Sequence, residues 1–459
     1  MKTIKVHFLG AAGSVTGSKF LLETPEMNIL VDCGLFQGLK ELRVLNWEKF
    51  GFPPTDIDMV LLTHGHLDHS GYLPRLVAHG FKGTITGTSP TLAIAGIIMR
   101  DSAKIQEEDA ERANKEEFTI HEPAEPLYTV EDVERTMEML RPADVDQWYE
   151  LSKNIRYRFR KNGHILGATF IELDIFGKIL VFSGDIGRKE DLLLEPPQTP
   201  EWADYLFLES TYGDRLHPDE DADSILANTI METLQKKGTL IIPSFAVERL
   251  QTLMYRIWRL YEHNKIPPLP VFIDSPMGNE VFGVFEQFPG WHRIPPTELR
   301  AMQQFFNIIT SYKDTWKTVD DNRPKAVIAG SGMVTGGRVL TYLRYYLDKP
   351  ETTVLLAGYQ AEGTRGRLLL EGANEIKIFG KYCEVKANIM ILNSLSAHAD
   401  QKGLLDWMSG IKNIPEKVFL IHGENMARDV LRLKIKDVFN YPVHLPWLGE
   451  TYEIPLGDG

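Results

Sequence analysis

The segment LLTHGHLDHSG, residues 61–71, constrains this chain more than any other stretch. His64, His66, Asp68 and His69 fall within six positions, directly behind the apolar run 59–62. Imidazole and carboxylate are the donors that borderline divalent cations such as zinc prefer. Four of them in one tight loop cannot all reach a single ion in good geometry. The economical reading is a two-metal site, with His64 and His66 on one ion and Asp68 and His69 on the other. A polar turn that happens to contain histidines is the plainer alternative. The whole chain, however, holds only 13 histidines in 459 residues, so three within six positions make a poor accident.

The surrounding pattern supplies a scaffold for such a loop. Strand-like runs at 4–9, 29–33, 59–63, 170–175, 179–183 and 205–209 dominate up to about residue 210, separated by Gly, Pro and Asp. One polar stretch, 100–114, reads as an exposed helix whose charges form a solvated face. From about 211 to 372 the rhythm changes. Strands at 239–243, 271–274, 325–329 and 353–357 alternate with helical periods at 246–262, 277–288 and 338–347. Such alternation implies parallel βαβ units. Glycine-rich turns at 330–337 and 363–366 sit at strand ends, where α/β sheets bind ligands. From about 373 strands return, ending with 418–421 and then His422. The expected fold class is α/β, in three segments: 1–210, 211–372 and 373–459.

Five further residues share one placement. Asp32, Asp185, Glu209 and His422 each close an apolar run, and His164 is expected to open one. Polar residues at the ends of buried strands gather at one rim of a sheet, on a rigid base suited to catalysis. Any single aspartate after a strand is more often a turn former or helix cap. Their joint recurrence beside the 64–69 cluster carries the argument.

Charge and composition limit the remaining classes. A net charge of −13 argues against non-specific binding of nucleic acid, though a local basic groove stays open and bound cations would add positive charge. Arg156, Arg158 and Arg160 alternate along 155–161 and so share one strand face. They could track an RNA backbone, but a solvated outer face is the preferred reading. The apolar stretches are strand-sized, so no membrane span is expected. The N-terminus lacks a secretory pattern, and Cys33 and Cys383 are the only cysteines. A disulfide framework is thereby excluded and a cytoplasmic location expected.

With these residues assembled, the chain resembles metallo-β-lactamase-fold nucleases that carry a β-CASP domain. That family includes the endonuclease subunit of the cleavage and polyadenylation specificity factor, RNase J and short bacterial ribonucleases. The matching motifs are GAAGSVTGS (10–18), VDCGLFQG (31–38), HGHLDH (64–69), GHILGA (163–168), FSGDIG (182–187) and ESTYGDR (209–215). They continue with PSFAVERLQ (243–251), DSPMG (274–278), GSGMVTGGR (330–338), GYQAEGTRGR (358–367), SAHAD (396–400) and IHGE (421–424). The likeness is greatest to short members without KH domains or long C-terminal extensions.

The resemblance implies an αββα sandwich with an inserted β-CASP domain, a parallel α/β sheet. It implies two Zn2+ per chain: His64, His66 and His164 on one, Asp68, His69 and His422 on the other. Asp185 would bridge them and Asp32 would support the site from behind. Glu209, His398 and His422 correspond to the family's motifs A, B and C, and a histidine at motif C goes with RNA rather than DNA substrates. The implied activity is hydrolysis of single-stranded RNA, endonucleolytic and also 5′-exonucleolytic in some members, with a homodimer among the compatible assemblies. Asp185, Glu209 and His398 are the catalytic candidates. Water as nucleophile would leave a 5′-phosphate and a 3′-hydroxyl. His398 near pKa 6.5 could protonate the leaving oxygen, with Glu209 raising that pKa. Ser331 and Arg338 are candidates for RNA phosphate, against the plainer reading that the loop only makes tight turns. Thr341 and Tyr342 replace histidines of many members, and Glu248 a glycine. The rivals are a small-ester, lactam or thioester hydrolase, an inactive RNA-binding scaffold, and a DNA nuclease of the same fold. The large insertion, the full ligand set and His422 argue against them in turn.

Overall fold

The computed structural model describes residues 3–116, 123–361 and 363–456; Glu362 of the GYQAEGTRGR motif lies outside them. Two compact units divide the chain, Met1–Leu216 with His398–Gly459, and His217–Ala397.

The first unit opens with β1 (Thr3–Phe8), β2 (Phe20–Glu23), β3 (Asn28–Val31), β4 (Met59–Leu61), β5 (Thr84–Gly87) and β6 (Leu140–Pro142). Its helices so far are α1 (Lys40–Val44), α2 (Leu67–Ser70), α3 (Leu73–Ala78), α4 (Ser89–Glu116) and α5 (Val130–Glu138). Then come β7 (Tyr149–Glu150), β8 (Ile155–Lys161), β9 (Thr169–Ile175), β10 (Lys178–Phe182) and β11 (Tyr205–Glu209). The polar helix expected at 100–114 is the second half of α4, whose first half is apolar and buried.

The second unit is built on β12 (Thr239–Pro243), β13 (Val271–Asp274), β14 (Asn307–Ile308), β15 (Lys325–Ala329) and β16 (Thr353–Ala357). After these come the hairpin β17 (Glu375–Ile378) and β18 (Lys381–Glu384), and then β19 (Asn388–Leu392). Six strands form one sheet in the order β14-β13-β15-β12-β16-β19, and every pair is parallel. This is the expected parallel α/β insertion. Its limits differ from those expected: β19 pairs with β16, and the hairpin Ile376, Ile378 and Cys383 pack into the same core. The return to the first unit therefore falls at His398 rather than near 373.

That return supplies β20 (Lys417–Ile421), β21 (Val443–His444) and β22 (Thr451–Pro455). Strand β22 joins β1 to complete a seven-stranded sheet, and β20 joins β11 to complete a second. The sheets face each other across a core that includes Phe8, Phe20, Phe182, Phe207 and Phe419. Strand β11 (YLFLE) is buried along its whole length because both faces are covered. Phe207 enters the inter-sheet core, while Leu206 and Leu208 enter the core under the C-terminal helices. Helices α3 to α5 cover the first sheet in the same way. The result is the αββα sandwich.

Strands β10, β11 and β20 run parallel, so their C-terminal ends share one rim. Phe182, Phe207 and Phe419 stack in a row across them, with ring centroids 4.1 and 4.8 Å apart, and fix that alignment. Strands β3 and β4 are likewise parallel and end nearby. The arginines of β8 are spoken for: Arg156 pairs with Asp174, Arg158 with Glu172 and Arg160 with Asp146. Among the described residues no helix is long and apolar enough to cross a membrane.

Candidate metal centre

Every residue expected at the site except Ser331 and Arg338 lies at that rim of the first unit. Asp32 follows β3, His64 and His66 follow β4, and Asp68 and His69 sit on the short helix α2. Asp185 follows β10, Glu209 ends β11 and His422 follows β20. His164 does not open a strand as expected; it lies in the loop between β8 and β9. Asn162 shapes that loop, since its side-chain amide donates to the carbonyls of Ser183 and Asp185 at 2.9 and 2.7 Å. Asp32 and His422 both adopt positive φ, 57° and 46°. The left-handed turn lifts each side chain out of its strand direction and toward the centre, a cost typical of functional positions. Gly34 is required for a different reason: a Cβ there would stand 1.6 Å from the Asp68 carbonyl oxygen.

Two donor sets result, with a third group, Asp185, Glu209 and His398, sharing Asp185 beside them. His64, His66, His164 and Asp185 form the first, and Asp68, His69 and His422 the second. In the first set His66 Nδ1 lies 3.1 Å from His64 Nε2 and 3.3 Å from His164 Nε2. Asp185 Oδ2 is 3.4 Å from His64 Nε2 and 3.5 Å from His164 Nε2. These four separations run from 3.1 to 3.5 Å and all four donor atoms lie within 4.8 Å of one another, close enough to converge on one ion, for which zinc–nitrogen and zinc–oxygen bonds are ~2.0–2.2 Å. In the second set His422 Nε2 is 3.2 Å from Asp68 Oδ2. The other oxygen of Asp185, Oδ1, lies 3.3 Å from His69 Nε2 and 3.4 Å from His422 Nδ1. Asp185 thus turns one oxygen to each set. The donors fit divalent cations, and this is a metal-binding site.

Residues behind the donors fix which nitrogen faces inward. His69 Nδ1–H donates to Asp32 Oδ2 at 2.7 Å, leaving Nε2 for the centre. Asp32 is held in turn by the Thr63 backbone N–H and hydroxyl, each at 2.8 Å. The same hydroxyl can accept from His64 Nδ1 at 3.1 Å, and Thr211 Oγ1 can accept from His422 Nδ1 at 3.1 Å. Such partners orient ligand rings and raise their basicity. Sequence reasoning missed Thr63, Thr211 and Asn162. Only Thr63, next to His64, carried a local signal.

Burial lowers the pKa of His64 and His164 and brings His66 down to about 4, so all three imidazoles are neutral and have lone pairs to give. Burial also opposes charge on His69 and Asp185, but their mutual attraction and nearby partners prevail. His69 is raised and Asp185 lowered. Beside the two sets, His398 Nδ1–H donates to Glu209 Oε1 at 3.2 Å, and His398 Nε2 faces Asp185 Oδ2 at 3.9 Å. Burial disfavours charge on His398, yet Glu209 and Asp185 outweigh it and raise its pKa to about 9. Glu209 is fully buried and fixed by the backbone N–H groups of Ile186 and Thr211, at 2.7 and 3.2 Å.

Ser331 and Arg338 belong to the second unit. The Ser331 hydroxyl closes its own loop, accepting from Thr335 and Gly336 N–H groups at 3.1 and 3.4 Å. Arg338 is committed inward: its guanidinium donates to Asp274 Oδ1 at 3.0 Å and Thr315 Oγ1 at 2.6 Å, and stacks on Tyr312. Tyr342 donates to the same Asp274 at 2.7 Å. These contacts tie the arginine to β13 and to Thr315, as the reading of a loop that makes tight turns expects. Glu248, where the resemblance leads one to expect glycine, sits at φ 61° and ψ −54° in a γ-turn closed by a 2.7 Å bond from Arg249 N–H to Val247 O.

Comparison with known proteins agrees with this geometry. Three family models match: the metallo-beta-lactamase superfamily over residues 15–135, the Beta-Casp domain over 250–369, and the Zn-dependent metallo-hydrolase RNA specificity domain over 382–446. Ribonuclease TTHA0252 of Thermus thermophilus is 34% identical over 425 residues, covering 90% of this chain and 92% of that protein. Transcription termination factor FttA of Methanocaldococcus jannaschii is 30% identical over 468 residues, 96% of this chain and 71% of that one. An RNase J-like protein of the same organism is 28% identical across 98% of this chain and its own full length. A crystal structure of a protein of unknown function from Enterococcus faecalis shares the fold, with a TM-score of 0.57 at 14% identity over 98% of this chain and 100% of that chain. The chain belongs to the β-CASP ribonucleases of the metallo-β-lactamase fold, metal-dependent hydrolases that act on RNA.

Proposed function

We propose that the protein is a two-zinc ribonuclease that cleaves single-stranded RNA internally and leaves 5′-phosphate and 3′-hydroxyl ends. The observation that carries this reading is Asp185, with one carboxylate oxygen turned to each donor set. His64, His66, His164 and Asp185 would hold one ion, and Asp68, His69, His422 and Asp185 the other. When bound, such a pair supplies a water activated near neutral pH and neutralises charge on the phosphodiester. Because water and not the ribose 2′-hydroxyl is the nucleophile, no cyclic phosphate forms. His398 is the general acid: Glu209 takes its Nδ1 proton as a hydrogen bond and aims Nε2–H at the leaving 3′-oxygen. Burial of Glu209 makes that orientation rigid. His422, at the position that goes with RNA in this family, supports RNA over DNA.

The test combines metal analysis with end analysis. Fully active protein is expected to hold about two zinc ions per chain. An internally labelled RNA should yield fragments whose 5′ ends lose phosphate to phosphatase and whose 3′ ends accept ligation. One ion in active protein, or 2′,3′-cyclic ends, would overturn the reading.

A further inference from the structure

Residues 39–49 stand out from the rest of the first unit. Helix α1 has no buried residue, yet it is flanked by Leu39, 61% exposed, and Trp47, 53% exposed. The segment is not loosely attached. At its base Asn46, itself buried, accepts from Phe36 N–H at 2.9 Å and donates to Phe36 O at 2.8 Å. Below that, Leu35 N–H donates to Leu67 O at 3.0 Å and Cys33 N–H to His69 O at 2.7 Å. The arm therefore rises from the backbone that carries Asp68 and His69. Trp47 is also oriented from the side, because the Arg75 guanidinium lies over its ring, 5.3 Å from the centroid.

Charge distinguishes this face from the other basic cluster. The three arginines of β8 are all paired with carboxylates. Lys40, Arg43, Lys49 and Arg75 form no ion pair among the described residues, and they outnumber the exposed Glu41 and Glu48 of the same segment, in a chain of net charge −13. Cations outside any ion pair around an exposed, pre-oriented indole are what an unpaired nucleotide strand needs: a ring for a base to stack on and charges for the phosphates on either side. Protein interfaces are depleted in lysine, which supplies two of these four cations.

We propose that residues 39–49 and Arg75 form an RNA-holding arm next to the metal centre, with Trp47 stacking on an unpaired base and Lys40, Arg43 and Lys49 meeting the flanking phosphates. The proposal rests on the ribonuclease reading for its substrate class, but its test does not need cleavage. The full-length protein in EDTA is titrated into a fluorescein-labelled 12-nucleotide single-stranded RNA, and affinity is read by anisotropy. Trp47→Ala should bind about 5- to 160-fold more weakly, the usual loss for one stacked base. Trp47→Phe should stay within about threefold of wild type, because a flat ring remains. Replacing Lys40, Arg43 and Lys49 together by Gln should flatten the plot of log affinity against log salt by about 2, from ~0.7 per lost phosphate contact. A blunt RNA duplex, whose bases are not free, should distinguish Trp47→Ala from wild type by less than about twofold.

Trp47→Ala binding single strands as tightly as wild type would overturn the arm. So would Trp47→Phe binding as weakly as Trp47→Ala with a lowered melting temperature, since the ring would then be structural. The two readings fail separately. RNA bound through Trp47 but not cut with zinc present would sink the proposed activity and leave the arm. Cleavage with an RNA affinity indifferent to Trp47 would do the reverse.

Discussion

Asp32→Asn is the most discriminating single change at the centre, because it keeps shape and removes one acceptor. The carboxylate now receives three hydrogens: Thr63 N–H at Oδ1, and Thr63 O–H and His69 Nδ1–H at Oδ2. An amide offers one oxygen and one NH2, so no placement satisfies all three. With the NH2 toward His69, the imidazole must move its proton to Nε2, the atom 3.3 Å from Asp185 Oδ1. A protonated Nε2 has no lone pair for an ion. With the NH2 toward Thr63, two buried N–H groups oppose each other, at about 1–3 kcal/mol. Outer partners of this kind are worth about 10–100-fold in metal affinity, or about 1.4–2.8 kcal/mol. Zinc release to a chromogenic chelator should therefore resolve two ions in the variant. The one held by Asp68, His69 and His422 should weaken by that factor, and the one held by His64, His66 and His164 should change less than about threefold. Equal weakening of both, or of neither, would refute the reasoning that Asp32 acts chiefly through the His69 ring, to which it bonds directly, rather than through Thr63 and His64.

Three further outcomes are expected. His398→Ala should slow RNA cleavage by about 10²–10⁴ with zinc content intact, and a bridging 3′-phosphorothiolate, whose sulfur leaves without a proton, should restore much of the rate; equal slowing on both substrates would show a positioning role. Lys19 is fully enclosed, and burial brings its pKa from 10.5 down to about 8 while the Phe36 and Tyr72 rings face its ammonium. Its folded pKa lies below the unfolded one, so the cost is full below pH 8 and is relieved as pH rises toward 10.5. At about 1.4 kcal/mol per unit this is about 3 kcal/mol, less about 1–2 for the rings, so Lys19→Met should stabilise the first unit by about 1–2 kcal/mol at pH 7 in calorimetry and lose that advantage above pH 10.5. A lower melting temperature at pH 7 would contradict this. Gly34→Ala should destabilise by more than ~3 kcal/mol or fail to load the second ion, because its Cβ meets the Asp68 backbone at 1.6 Å; a normally folded, fully loaded variant would count against the close approach.

Features legible in the amino-acid sequence and features hidden from it divide along a physical line. Asp32, Asp185, Glu209 and His422 are legible because each breaks an apolar run, and an apolar run bounded by a carboxylate or imidazole marks a strand end whatever its neighbours are. The sheet that a strand joins is not a local property. Strands 375–392 look like those of the first unit, but β19 pairs with β16, and only that long-range register puts the return at His398. His164 is misread from sequence for the same reason. GHILGA is apolar enough to read as strand, whereas its loop is imposed from outside by Asn162 and by the Thr88 and Thr91 hydroxyls, which donate to Gly167 O at 2.7 and 2.8 Å. Arg338 shows the converse: a cation after a glycine-rich turn carries no local sign of the partner it has in Asp274, 64 positions away. The same criterion is what separates Trp47 and its cations from the β8 arginines. Cations beside an indole occur in both, since Arg156 and Arg158 lie over Trp148 as Arg75 lies over Trp47, and the carboxylates Asp174, Glu172 and Asp146 decide which charges are already paired.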